Sequence, residues 1–66
     1  MPKKYGDVRR RLRSAGWSRV RQRGSHELWR SPDGEMQVTV SGRDSKTIPA
    51  GTLAEIRRRT RMDDLR

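Results

Sequence analysis

Tyr5, Val8, Leu12 and Ala15 recur at spacings of three and four, whereas Met36, Val38 and Val40 alternate. A helical period and a strand period therefore sit side by side in a chain of 66 residues. Apolar residues are only 29% of the sequence against 38% charged, a balance that leaves an unpatterned chain disordered. Here the apolar positions are grouped, which predicts a thinly cored globular domain near the lower size limit for a core without staples. Residues 1–66 read as one domain. The absence of cysteine excludes a disulfide framework and a thiolate zinc site. Cytoplasmic location is the default expectation. The lysine pair near the N-terminus is not followed by the apolar run of a secretory signal. No stretch approaches the roughly 18 apolar residues of a membrane span, so no membrane association is expected.

The first helix is predicted over Lys3–Ala15, with Asp7 and Arg11 as an i,i+4 pair and Gly16 as its left-handed end. Arg9 and Arg11 flank its apolar stripe. Trp17–Arg23, His26–Ser31 and Met36–Val40 then read as three strands, separated by Gly24-Ser25 and by Pro32-Asp33-Gly34. Leu28 and Trp29 are neighbours and cannot both face inward without a bulge, so one of them is more exposed. Trp17 is assigned to the helix–sheet junction. After a polar loop over residues 41–46, a second helix runs from about Gly51 to Thr60, with Leu53, Ile56 and Thr60 facing inward. Met62–Leu65 is read as one further helical turn that closes the core. The predicted class is α+β in the order α-β-β-β-α, a three-stranded antiparallel sheet with two helices on one face.

The charge is uneven along this plan. Residues 1–24 hold nine basic residues and one acidic (+8), residues 25–50 three and four (−1), and residues 51–66 five and three (+2). Of the 17 basic residues 14 are arginine, whose planar guanidinium grips phosphate oxygens two at a time. A phosphate backbone is the expected partner, and a solvated arginine-rich surface is the plain alternative.

Leu12-Arg13-Ser14-Ala15-Gly16-Trp17, Val20-Arg21-Gln22-Arg23-Gly24-Ser25-His26, Trp29, and Ile48-Pro49-Ala50-Gly51-Thr52-Leu53 with Ile56 together resemble the HicA toxin family. The likeness runs through nearly the whole chain in the family's order. It implies a fold similar to a double-stranded-RNA-binding domain. It also implies a small type II toxin that cleaves mRNA without the ribosome, is neutralised by a HicB-like antitoxin, and is a monomer when free. The catalytic histidine of the family's Gly-Ser-His motif falls on His26. Many members have further histidines after that motif and before the second helix, where this chain has Glu27, Ser31 and Ser41-Gly42-Arg43.

The chemistry of these residue types agrees with that implication. A neutral imidazole can take the proton of a ribose 2′-hydroxyl, whose oxygen then attacks the adjacent phosphorus without a cofactor or metal ion. Arg21 and Arg23 are placed to offset charge on the phosphorane, Gly24 to bring the backbone close to a single strand of RNA, and Ser25 to position His26 or to donate to a phosphate oxygen. Arg9, Arg13 and Lys46 are the further expected RNA contacts, with Arg43 beside Lys46. Glu27 reads as a surface carboxylate, with proton donation as the alternative; lysine, tyrosine or water are the other candidate donors. His26 also reads more simply as a polar residue at a strand edge, and Trp29 as either core or a stacking platform. The acidic residues have no spacing that converges on a metal. A non-catalytic RNA-binding module is the competing function, and DNA binding is a third that no helix-turn-helix spacing supports.

Overall fold

The computed structural model describes residues 3–65. It contains α1 (Tyr5–Ser14), β1 (Ser18–Arg23), β2 (His26–Arg30), β3 (Gln37–Ser41) and α2 (Ala50–Thr60). The three strands form one antiparallel sheet in the order β1-β2-β3. The α+β plan and its element order are as the sequence predicts.

α1 forms because Tyr5, Val8 and Leu12 turn a single stripe inward. The Asp7 carboxylate accepts a hydrogen bond from the Lys4 N–H at 3.1 Å and so ties down its first turn. At the other end Gly16 takes φ 87°, and the Trp17 N–H reaches back to the Leu12 carbonyl at 2.9 Å. The expected Asp7–Arg11 pair is absent. Asp7 pairs with Arg10 at 3.6 Å, and Arg11 instead reaches Asp64 at 2.6 Å, beyond the end of α2. A tertiary partner has outcompeted the local one. Residues 62–65 form a turn and not a helix, closed by the Leu65 N–H on the Met62 carbonyl at 3.1 Å. Met62 and Leu65 nonetheless close the core as expected.

Strand alternation decides which side of the sheet the core occupies. Glu27 and Trp29 of β2 and Val38 and Val40 of β3 are buried, while His26, Arg30, Gln37 and Thr39 are exposed. The buried side chains meet those of α1 and α2, including Leu12, Leu53 and Ile56, which leaves the other face of the sheet open. Trp17 is buried with them, and Leu28 is the more exposed of the Leu28–Trp29 pair.

The bulge lies on β1 and not on β2. Arg19 stands opposite Trp29 and Arg21 opposite Leu28, so Val20 is an extra residue, 46% exposed. It reverses the parity of the rest of the strand. Paired without a bulge, Arg21 would oppose Glu27 and turn towards the helices; with it, Arg21 and Arg23 share the face of Leu28 and His26.

Gly42 is sterically fixed as well as conformationally unusual. It has φ 142°, and a Cβ there would lie 2.5 Å from the Tyr5 ring. Gly42→Ala is expected to destabilise the fold by about 1–3 kcal/mol, through overpacking and backbone strain. A urea midpoint equal to that of the parent protein would show that the Tyr5 ring moves aside freely.

Candidate nucleic-acid interface

The β1–β2 hairpin turns on two residues, Gly24 and Ser25. Gly24 has φ +58°, and Ser25 has no positive φ, the pattern of a type II′ turn with glycine at its first central position. That turn places Arg23 directly opposite His26, and on its other side His26 stands opposite Ser41 of β3. Arg21 lies two residues from Arg23 on the same face. His26, Arg21 and Arg23, singled out from the sequence, are thus brought together on the open face of the sheet. All three are exposed.

Ser25 and Lys46 meet elsewhere, on the helix side of the hairpin. They line a groove of about 510 Å³ with Gln22, Ser41, Arg43 and the buried Arg9–Glu27 pair. Lys46 is held by its backbone, whose carbonyl accepts from the Tyr5 N–H at 3.0 Å. Arg13 lies over the Trp29 ring, 5.3 Å from its centroid, a stacked cation–π contact that orients the guanidinium.

Two expectations are corrected. Arg9 is not an RNA-facing side chain: it is 8% exposed, and its Nε donates to Glu27 Oε1 at 2.9 Å, its Nη1 to Asp44 Oδ1 at 2.7 Å, and its Nη2 to the Gly42 carbonyl at 2.6 Å. Glu27 is not a surface carboxylate. It is 7% exposed and also accepts from Trp29 Nε1 at 3.0 Å and Arg19 Nη1 at 3.4 Å. A charge cannot be buried here without such partners, because its desolvation costs several kcal/mol. Trp29 is accordingly core, 1% exposed, and its indole N–H is spent on Glu27.

Sequence reasoning missed this network although one signal was present. Arg9 is four residues after Tyr5 and three before Leu12, so it stands inside the apolar stripe. A cation there requires an anion from across the core. Arg19 and Arg30 were also passed over; Arg30 lies on the open face, opposite Gln37.

Burial raises the Glu27 carboxyl, but hydrogen bonds from Arg9 and Trp29 and the charges of Arg9 and Arg19 together outweigh it, holding the group below its ordinary 4.5. A folded value below the unfolded one contributes stability above the unfolded value, and that stability is lost as pH falls through the folded value. The melting temperature is therefore expected to drop as pH is lowered below about 4.5, and Glu27→Gln to flatten part of that drop. Parallel melting curves at every pH would exclude Glu27 as the source.

Among the described residues no three histidine, cysteine or acidic side chains converge as metal ligands. No helix among them is long and apolar enough to cross a membrane.

Fold and site together define a small α+β domain whose open sheet face carries one histidine among arginines. The family model of the HicA toxins of bacterial toxin–antitoxin systems matches residues 5–62, and the chain belongs to this family. No curated protein and no solved structure matches it.

Proposed function

We propose that the chain is a ribosome-independent endoribonuclease toxin that cuts single-stranded RNA, mRNA included, and is neutralised by a HicB-like antitoxin. The observation that carries this reading is the register that sets His26 between Arg23 and Ser41 on the sheet face turned away from the core. His26 acts as general base, taking the 2′-hydroxyl proton while O2′ attacks the adjacent phosphorus. Arg23 and Arg21 offset the charge growing on the phosphorane oxygens. The bond to the 5′-oxygen breaks, and that oxygen leaves with a proton, giving a 2′,3′-cyclic phosphate and a 5′-hydroxyl. Glu27 and Tyr5 are buried on the other side of the sheet, and Lys46 lines the groove on that same side, which leaves water as the proton donor. The free toxin acts as a monomer, in the cytoplasm.

Purified protein incubated with single-stranded RNA and a chelator is expected to produce fragments ending in cyclic phosphate. Fragments with 3′-hydroxyl ends would overturn the mechanism. Intact RNA would favour the second reading, a non-catalytic RNA-binding module, which the presence of a single histidine in the chain supports.

A further inference from the structure

We propose that the helix side of the β1–β2 hairpin carries a second phosphate-binding groove, formed by Arg13, Arg19 and Arg43, that holds the backbone of single-stranded RNA a few nucleotides from the phosphate cut on the open face. This rests on the ribonuclease reading above. The groove behind the hairpin continues into a cleft of about 380 Å³ between α1, β1 and the loop after β3. The two share Arg9, Glu27, Gly42 and Arg43 as walls.

The cleft has more cations than its anions can neutralise. Arg9, Arg13, Arg19 and Arg43 line it with only Glu27 and Asp44 (four minus two, +2). Both oxygens of Glu27 are occupied, one by Arg9 and Trp29 and the other by Arg19. Asp44 accepts from Arg9. Arg13 and Arg43 have no carboxylate partner among the described residues, and Trp29 holds Arg13 in place from below. A guanidinium stacked on one face keeps its N–H edge for an oxyanion, and phosphate matches that edge in two bonds.

Cations on both sides of the hairpin suit a chain with one charge per unit and not an isolated anion. The tip between them is open: outside residues 23–25 no atom lies within 4 Å of where a Gly24 Cβ would be, although the Gln22 amide donates to the Gly24 carbonyl at 3.2 Å, and Ser25 beside it lines the groove. A single strand can turn over a two-residue tip. A duplex, stiff over about 150 base pairs, cannot.

The test uses His26→Ala protein, so that binding is read without cleavage, and an oligoribonucleotide of roughly 12 nucleotides, within the site sizes of small single-strand binders. Adding Arg13→Gln, Arg19→Gln and Arg43→Gln is expected to lower affinity about 10- to 100-fold near 50 mM salt, and to flatten the salt dependence by about 2, three phosphates at 0.7 each. Arg13 and Arg19 also touch Trp29 and Glu27, so Arg43→Glu is measured alone as well. It is expected to weaken binding about tenfold while the melting temperature holds. Both variants binding as tightly as His26→Ala alone would overturn the proposal. So would unchanged RNA affinity with lost affinity for polyglutamate, which would assign the groove to an acidic protein. Weakened binding by these variants, with no cleavage by the unmutated chain, would leave the groove standing and remove the nuclease reading.

Discussion

Glu27→Ala is expected to leave little folded protein at 37 °C. The change strands the Arg9 guanidinium in the core with only Asp44 and a carbonyl, and leaves the Trp29 indole N–H without an acceptor. Removing one member of a buried pair costs about 3–5 kcal/mol, and a domain of this size is rarely more stable than about 3–5 kcal/mol in total. The loss and the whole stability are therefore comparable, which is why the effect is large. Circular dichroism during thermal melting reads it directly. Glu27→Gln keeps the shape and one acceptor and is expected to lose less. Replacing Arg9 by Met and Glu27 by Leu together removes both buried charges and is expected to lose less than Glu27→Ala, chiefly the acceptor of the Trp29 indole N–H and the donor to the Gly42 carbonyl, about 1–3 kcal/mol each. A Glu27→Ala protein melting within a few degrees of the parent would show that the network contributes little.

His26→Ala is the second large effect, and it acts on a different quantity. Loss of a general base lowers a rate by about 10²- to 10⁴-fold, while an exposed strand residue contributes at most about 0.5 kcal/mol to stability. RNA cleavage should thus fall by two to four orders of magnitude with the melting curve unmoved. Growth arrest on induced expression should disappear with it. Cleavage by the alanine variant at the parental rate would remove His26 from the chemistry, whereas a lowered melting temperature would recast it as a structural residue.

What could be read from the sequence was what is locally encoded. The Tyr5-Val8-Leu12 stripe and the Met36-Val38-Val40 alternation need no partner to be recognised, and both elements formed where they predicted. Arg9 obeyed the same helical period but was read by residue type, so the clamp to Glu27, Asp44 and Gly42 was invisible. Arg11 chose Asp64, 53 residues away, over Asp7 four residues away, and no local rule could rank the two. The Leu28–Trp29 conflict was settled as expected, by Leu28 being the more exposed of the two, and it carried no sign of the bulge on β1. β1 is exposed at every position, so it has no alternation from which an extra residue can be detected.

The extra residue lets one strand answer to two masters. Trp17 must enter the core, and Arg19, two residues on, reaches the buried Glu27 from the same side. Strict alternation would carry that orientation onward to Arg21 and Arg23 and hide both from the open face. Val20 absorbs the conflict by shifting the phase of the strand once. The arginines that serve the core and those that flank His26 can therefore be set independently, although all of them lie at alternate positions of a single run. The separation is made by a side chain with no chemistry of its own.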